Sequence, residues 1–204
     1  MSWKDYALLL VDVQQGFWGE HLAKYMPDFP RQVARLLELC RQESLPVVHV
    51  RLSFRIDGAD WPPFEKLGQP LTCLEGTAAR EPTEFAREAM GEAVIYKHAL
   101  DGFVAPALEQ QLRALETKCV LVAGLITSVC VLLTALSATQ RGYLTAIVED
   151  ACADGLEPHQ FALTHFQGFG FLRTHVDAIR SSRVAWDAML AQLTGSAHRF
   201  GGLR

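Results

Sequence analysis

The chain has 204 residues, of which 50% are hydrophobic and 21% are charged, and its formal net charge is −4. This length and balance predict one soluble globular domain with a sizeable core. A slightly acidic chain carries no basic field, so nucleic acid and anionic membrane surfaces are poor partners.

Cysteine usage and apolar runs bear on the location of the protein. Five cysteines are scattered along the chain, and none forms a Cys-x-x-Cys pair. This spacing favours reduced thiols over a disulfide framework or a cysteine zinc site. No apolar run approaches the length of a membrane span, and no signal-peptide pattern is present. We therefore expect a cytoplasmic protein.

Strand-like and helix-like segments alternate in the first half of the chain. The apolar run Tyr6–Val11 predicts a buried strand that ends at Asp12, and Val47–Leu52 predicts a second strand. Apolar residues at helical spacing predict a helix between them, from about Pro30 to Glu43. These segments form a βαβ unit, whose crossover is expected to be right-handed.

A long segment without periodicity follows the second strand. Residues 53–82 are rich in proline and glycine, and loops of this length are uncommon in compact domains unless they cover a site. We interpret 53–82 as a lid-like excursion from the domain. A short helix from about Thr83 to Met90 and a third strand, Ala93–Lys97, are predicted to follow it.

The segment from Cys119 to Cys152 organises the second half of the chain. Its apolar run Cys119–Leu125 predicts a buried fourth strand, and a helix of amphipathic spacing follows from Val129. Cys130 falls in the first turn of that helix, where free backbone N–H groups and the helix dipole favour an anion. We therefore expect its thiol to ionise more easily than that of a free cysteine.

The remaining segments complete an α/β pattern. Further elements are predicted at Ala105–Leu115 (helix), Leu144–Val148 (strand), His159–Gly168 (helix), Phe169–Thr174 (strand) and Arg183–Leu193 (helix). The alternation predicts a three-layer α/β/α sandwich around a parallel sheet of about six strands. We expect one domain over 1–193, followed by a mobile tail over 194–204.

Three reactive side chains follow predicted strands. Asp12, Lys97 and Cys130 should meet at the carboxyl edge of the sheet, where open parallel sheets bind ligands. Singly, they could be a turn cap, a solvated strand end and a small buried residue. Together they supply a base, a cation and a nucleophile, which favours thiol-based catalysis.

Four stretches of sequence carry a resemblance to a known family. They are VDVQQGF at 11–17, YKHALDGF at 96–103, GLITSVCVLLTALSATQRGY at 124–143 and VEDAC at 148–152. Over about residues 5 to 180 the chain resembles the isochorismatase-like cysteine hydrolase superfamily. The stretch around Cys130 is the most specific part of this resemblance.

The resemblance implies a catalytic triad of Asp12, Lys97 and Cys130 on a parallel six-stranded α/β/α fold. It also implies a cis peptide bond between Leu125 and Ile126. The backbone N–H groups of Ile126 and Cys130 are then expected to form an oxyanion hole. A homodimer or homotetramer is the expected assembly.

The resemblance also guides the prediction of chemistry. Nicotinamidases of this superfamily carry an Asp-x-His metal pair after the second strand, but this chain reads HVRLSFRIDGADW there. We therefore predict no metal and no cofactor, and we disfavour nicotinamide. Siderophore isochorismatases generally lack the cysteine, so Cys130 favours amide chemistry. The predicted function is a metal-independent cysteine amidohydrolase that cleaves a small carboxamide, ureido or carbamoyl compound through a thioester.

Candidate substrate-binding residues lie near the predicted strand ends. We assign this role to Gln14, Phe17, Trp61 and Phe103, although ordinary packing also explains each aromatic ring. Gln14 could instead orient its loop. Arg51 and Arg55 are candidates for receiving a substrate carboxylate, although exposed arginines usually face water.

Three other functions compete with this prediction. The chain could be a vinyl-ether hydrolase of the isochorismatase type, in which case it would release pyruvate rather than ammonia. It could be a catalytically idle family member that serves as a binding module. A redox-sensing thiol is a weaker alternative, because no resolving cysteine lies near Cys130 in the sequence.

Overall fold

The computed structural model describes residues 3–200, with side chains up to residue 194. Its strands are β1 Tyr6–Val11, β2 Val47–Leu52, β3 Ala93–Lys97, β4 Cys119–Leu125, β5 Leu144–Ala153 and β6 Leu172–Thr174. Within that range they form one parallel sheet in the order β3-β2-β1-β4-β5-β6. The predicted α/β fold with about six parallel strands is therefore confirmed.

Helices flank the sheet. In the described part of the chain they are α1 Glu20–Ala23, α2 Phe29–Gln42, α3 Pro63–Lys66, α4 Pro106–Ala114, α5 Leu132–Gln140, α6 Leu156–His165 and α7 Ile179–Phe200. Because the step from β1 to β2 and the step from β4 to β5 run in opposite directions, right-handed crossovers place α2 and α5 on opposite faces. None of the described helices is both long and apolar enough to span a bilayer.

The central strands are buried along their whole length. Every residue of β1, β2 and β4 is buried, as expected for continuous apolar runs in a parallel sheet covered on both faces. Two residues of β2 are polar, and each is paired with a glutamate. His49 Nε2 lies 2.8 Å from Glu92 Oε2, and Arg51 forms an ion pair with Glu88.

Several elements differ from their predicted extent, including α6 and β6, and two of them show how tertiary pairing and local stability decide the bounds. The helix predicted over residues 83–90 is only a 3₁₀ turn at Glu84–Ala86, since so short a segment makes too few helical hydrogen bonds. Strand β5 runs beyond its predicted end at Val148. A bulge lets Cys152 pair with Gly124, which carries the strand to Ala153.

The last helix is also longer than the sequence predicted. We expected a helix over 183–193 and a mobile tail from 194, but α7 begins at Ile179 and continues to Phe200. The extension contains one glycine and no proline, and a single helical glycine costs only about 1 kcal/mol relative to alanine. The predicted mobility of residues 201–204 concerns positions outside the described residues.

The topological switch point lies between β1 and β4, where the crossovers leave in opposite directions. Gly124 pairs with Val11 there and has a φ of 124°. A Cβ atom at this position would lie 2.0 Å from the Val11 carbonyl oxygen. Only glycine therefore allows β1 and β4 to approach so closely, which brings Asp12 beside the turn that follows Leu125.

The 53–82 excursion folds back over the carboxyl edge of the sheet. At its start, the Ser53 N–H donates to the carbonyl of Lys97, the ion-pair partner of Asp12, at 2.9 Å. Near its end, the Gln15 N–H donates to the Glu81 carbonyl at 2.9 Å. Both ends of the excursion are therefore fixed beside Asp12.

Candidate active site

A buried ion pair joins two of the three predicted catalytic residues. Lys97 reaches across β2 and donates from Nζ to Asp12 Oδ2 at 2.7 Å, and the exposure of both side chains is 0%. Nζ also donates to the carbonyls of Ala99 at 2.8 Å and Leu100 at 3.2 Å. All three ammonium protons are therefore used, which holds Lys97 in one orientation.

Asp12 is held by its backbone and keeps one free carboxylate oxygen. Its φ of 51° lies in the left-handed region, which aspartate tolerates, and its N–H donates to the Val50 carbonyl at 2.8 Å. Burial raises the pKa of the Asp12 carboxyl, whereas Lys97 and the Cys130 thiol lower it. Among the described residues, none gives Oδ1 a hydrogen bond of ordinary geometry. A carboxylate in this setting can accept a proton at Oδ1.

Cys130 lies in a short π-helical segment, Thr127–Val131, that connects β4 to α5. We call this segment the π-turn. The residue is only 4% exposed. The charge of Asp12 raises the pKa of its thiol and that of Lys97 lowers it, so both charged groups lie near the sulfur. The structure therefore brings Asp12, Lys97 and Cys130 together, and we call this group the triad.

The expected ease of ionisation of Cys130 is wrong for the resting site. Burial raises the pKa of the Cys130 thiol above its usual range, and the negative charge of Asp12 raises it further. Lys97 lowers the pKa but does not outweigh these effects. Desolvation therefore dominates over the helix terminus, and the resting sulfur is a thiol.

The peptide bond between Leu125 and Ile126 is cis, as the resemblance implied. The Ile126 carbonyl accepts hydrogen bonds from the N–H groups of Val129 at 3.1 Å and Val131 at 3.2 Å. Cys130 lies between these two donors in the sequence, and its own N–H takes part in neither bond. The role of the Ile126 and Cys130 N–H groups as an oxyanion hole stays a prediction.

Two further side chains fix the π-turn, and the sequence analysis assigned neither of them a role. Asp154 Oδ2 accepts hydrogen bonds from the Ser128 N–H at 2.9 Å and from the Ser128 hydroxyl at 2.5 Å. His159 Nδ1 lies 2.9 Å from Thr127 Oγ1, and burial lowers the pKa of His159, which favours a neutral ring. Asp154 was missed because the fifth strand was predicted to end at Val148, whereas it continues to Ala153, directly before Asp154. The acidic stretch after Val148 was the available signal.

Gln14 is a structural residue and not a substrate-binding one. It is fully buried, and its Nε2 donates to the carbonyls of Leu52 at 2.8 Å and Arg80 at 2.6 Å. Its Oε1 accepts from the Leu52 N–H at 2.8 Å. Because main-chain groups occupy this amide, Gln14 ties β2 to the excursion, and the loop-orienting alternative applies.

The predicted aromatic lining residues separate into two groups. Phe17 and Trp61 pack against a buried cluster that includes Cys73, at the carboxyl edge of the sheet. Phe103 is buried elsewhere. Its ring centroid lies 6.1 Å from that of Tyr143, and the Arg141 guanidinium lies 4.6 Å from its centroid.

Phe103 is therefore a packing residue. Arg141 caps the far end of α5, about 16 Å from Cys130 along the helix, because each residue rises 1.5 Å. The ring of Phe103 is directed to that end of the helix and not to the triad. A lining role for Phe17 and Trp61 stays a prediction.

The two arginines proposed for substrate binding are already paired. Arg51 is 4% exposed and forms its ion pair with Glu88, whereas Arg55 pairs with Asp57 at the surface. Each guanidinium therefore already has a carboxylate counter-ion. Among the described side chains, no group of three or more His, Cys, Asp or Glu residues is arranged to hold a metal ion.

The triad is closed off from solvent. The side chains of Asp12 and Lys97 are 0% exposed, and Cys130 is 4% exposed. The excursion and the loop after β1 cover this edge through their mutual hydrogen bonds. A substrate must therefore displace part of this cover.

Comparison with known proteins agrees with this fold. The Isochorismatase domain model matches residues 6–177. Maleamate amidohydrolase from Pseudomonas putida is 29% identical over 186 residues, which are 87% of this chain and 86% of that protein.

Two solved structures illustrate the structural likeness. An isochorismatase family protein from Desulfovibrio vulgaris superposes with a TM-score of 0.81 at 24% identity, covering 88% of this chain and 98% of that one. N-carbamoylsarcosine amidase from Thermoplasma acidophilum superposes with a TM-score of 0.73 at 29% identity, covering 88% of this chain and 99% of that one. The chain therefore belongs to the isochorismatase family, within the isochorismatase-like cysteine hydrolase superfamily.

Proposed function

We propose that this isochorismatase-family hydrolase is a metal-independent cysteine amidohydrolase that acts on a small carboxamide, ureido or carbamoyl compound. One observation carries the proposal: a buried Asp12–Lys97 pair beside the Cys130 thiol, at the carboxyl edge of the sheet. Such a group supplies a proton acceptor, a fixed cation and a nucleophile. Two relatives whose names denote amidases support the amide chemistry.

The first step is attack of sulfur on the substrate carbonyl. Asp12 takes the thiol proton while the carbon–sulfur bond forms, because a free thiolate beside the Asp12 charge would be unfavourable in this buried site. The carbonyl electron pair moves to oxygen, and the Ile126 and Cys130 N–H groups stabilise that oxyanion. Loss of one such donor typically raises a barrier by about 3 to 4 kcal/mol. Lys97 holds Asp12 in place throughout.

The second step releases the amine and restores the enzyme. Protonated Asp12 gives its proton to the leaving nitrogen, so that ammonia or an amine departs and a thioester on Cys130 remains. Asp12, ionised again, takes a proton from water, whose oxygen attacks the thioester carbonyl. The acid product leaves as sulfur recovers the proton from Asp12. One carboxyl group therefore serves as acid and base in turn.

The predicted partners follow from this chemistry. The substrate is a small amide-like molecule, as the names of the amidase relatives support. A homodimer or homotetramer and a cytoplasmic location remain proposals of the sequence analysis.

An ammonia-release assay tests the function. The enzyme is given a panel of small primary amides, ureides and carbamoyl compounds, and acid-quenched protein is weighed by intact mass spectrometry. Turnover with a transient acyl mass on wild-type protein is expected. Cys130→Ala should lower turnover by about 10³-fold or more and abolish the adduct. Cys40→Ala, which changes another buried thiol, is the matched control.

Three outcomes would contradict the proposal. Wild-type rates in Cys130→Ala would remove the covalent step. Pyruvate release from isochorismate without ammonia release from any amide would favour the vinyl-ether alternative. A folded wild-type protein that turns over nothing would favour the binding module.

A further inference from the structure

Arg80 stands apart from the other arginines of the protein. No Asp or Glu with a described side chain forms an ion pair with it, and its side chain contacts Ser53 and Tyr96. Every other arginine with a described side chain is paired with a carboxylate: Arg31, Arg35, Arg41, Arg51, Arg55, Arg87, Arg113, Arg141, Arg173, Arg180 and Arg183.

Arg80 is nevertheless held in a defined position. Its Nε donates to Ser53 Oγ at 2.7 Å, and its guanidinium carbon lies 4.1 Å from the centroid of the Tyr96 ring. The Arg80 carbonyl is fixed by the amide of Gln14. The residue is half-buried, so the stacked guanidinium is only partly solvated. A fixed cation without a counter-ion indicates a site for an anion.

This cation lies at the edge of the sheet that holds the triad. Ser53 directly follows β2, and Tyr96 directly precedes Lys97. The buried Cys73 thiol responds to both groups of charges. Its pKa is raised to about 11, mainly by burial and also by Asp12, whereas the Thr72 hydroxyl, Lys97 and Arg80 lower it. Hydrogen bonds place Arg80 beside the triad, because the Ser53 N–H donates to the Lys97 carbonyl at 2.9 Å and the Gln15 N–H donates to the Glu81 carbonyl at 2.9 Å.

The hydrogen-bonding geometry of the Arg80 guanidinium indicates the chemical class of the anion. With Nε bound to Ser53, the four protons on the two Nη atoms remain for a planar, bidentate acceptor. Carboxylates match this geometry. The charge balance agrees, because Asp12 and Lys97 neutralise each other while Arg80 has no described counter-ion.

We propose that Arg80 binds a carboxylate of the substrate, so that the enzyme selects small amides or carbamoyl compounds that also carry a carboxylic acid group. This inference rests on the proposed amidohydrolase function, and it names the substrate class for that site. It also replaces Arg51 and Arg55 by Arg80 as the carboxylate-binding residue. Arg80 determines specificity and takes no part in proton transfer.

Binding measurements test this without turnover. Calorimetry on Cys130→Ala protein compares succinamate, maleamate and N-carbamoylglycine with their neutral counterparts, in which an amide replaces the acid. We expect at least one acid to bind about 10- to 100-fold more tightly than its neutral partner, as lost hydrogen bonds to a charged group predict. Adding Arg80→Met should remove this preference and leave the neutral partners within about threefold.

Matched variants separate substrate binding from structure. Arg80→Lys keeps the charge but loses the planar fork, so it should retain part of the preference. Arg113→Met removes an arginine that is 75% exposed and should change nothing. In the Cys130-intact enzyme, Arg80→Met should raise KM for the acid with little change in kcat.

The two proposals fail in different ways. If no acid binds more tightly than its neutral partner, or if Arg80→Met weakens acid and neutral ligands equally, the role of Arg80 is overturned. A preference for acids in Cys130→Ala protein, combined with no ammonia release by wild type, would support Arg80 and overturn the amidohydrolase function.

Discussion

At the scale of single residues, the site pairs a thiol that resists ionisation with a carboxylate that favours protonation. Burial raises the pKa of both Cys130 and Asp12, so neither group behaves as it would in water. The proton consequently stays on the resting sulfur until Asp12 takes it. A nucleophile generated only when substrate is present is also protected from side reactions.

The pH dependence of the reaction should reveal this pairing. Catalysis needs Asp12 ionised in the free enzyme, and burial raises its pKa above the ordinary 3.8. A plot of kcat/KM should therefore fall as the pH decreases through a value above 3.8. Lys97 lowers the pKa of Asp12. In Lys97→Met, the acid limb of the residual activity should therefore lie at a higher pH than in the wild type. An acid limb at or below 3.8 would contradict Asp12 as the base.

Two adjacent glutamines offer a test of the structural role of Gln14. Gln14→Leu leaves three buried main-chain groups of Leu52 and Arg80 without partners, so we expect a loss of about 2 to 4 kcal/mol in unfolding free energy. Gln15→Leu, at an exposed neighbour, should change it by less than about 0.5 kcal/mol. Urea denaturation measures both. Equal stability of the two variants would contradict the structural role of Gln14 and favour its predicted role in substrate binding.

At the scale of elements, the ends of three strands carry the chemistry, and sequence alone predicts them well. β1, β3 and β4 have their predicted bounds, because an apolar run bounded by polar residues or glycine defines a buried strand. Asp12, Lys97 and Cys130 could be predicted together for the same reason. Parallel strands must place their carboxyl ends at one edge.

The remaining parts of the site depend on tertiary contacts that have no local pattern. β5 continues past Glu149 and Asp150 only because Cys152 pairs with Gly124, so the contact of Asp154 with the π-turn could not be predicted. The direction of the Phe103 ring depends on how α5 packs. The unpaired state of Arg80 depends on where every acidic side chain lies.

The Asp12–Lys97 pair provides a prediction about the energetics of the sheet edge. Asp12→Asn and Lys97→Met each leave one buried charge without its partner, so each should destabilise the protein by about 3 to 5 kcal/mol. The double variant removes both charges and should be far more stable than the sum of the single effects predicts.

A second pair calibrates this measurement. The same cycle on Arg113 and Glu109, whose arginine is 75% exposed, should give a coupling below about 1 kcal/mol. Denaturant titration at neutral pH yields both coupling energies. Additive effects of Asp12→Asn and Lys97→Met would mean that the two charges do not depend on each other in the folded protein.

At the scale of the whole molecule, access of a substrate to the buried triad depends on the excursion. The fold places the reactive groups where the sheet opens, but residues 53–82 cover that edge. The excursion carries large apolar side chains that face solvent, including Ile56, Phe64 and Leu67, which are 70%, 66% and 82% exposed. Its tip therefore has few packing contacts to hold it in place, although its two ends are fixed by hydrogen bonds.

This difference predicts local opening at the tip of the excursion. Segments with few buried apolar contacts open at low free energy, so amides of residues 56–70 should exchange with deuterium much faster than those of β4, which is buried throughout. Formation of the thioester on Cys130 places an acyl group beneath the cover. Exchange at 56–70 should then slow by about 10-fold, which corresponds to about 1.4 kcal/mol of added local stability.

Mass spectrometry of wild-type protein, quenched during turnover, measures this exchange, and Cys130→Ala with the same compound shows the effect of binding alone. β4 should stay protected in every state, which separates local opening from global unfolding. Slow exchange at 56–70 in the free enzyme, or exchange that is unchanged by the adduct, would contradict entry through the excursion. The substrate would then have to enter past the loop after β1, where Phe17 packs against both apolar clusters.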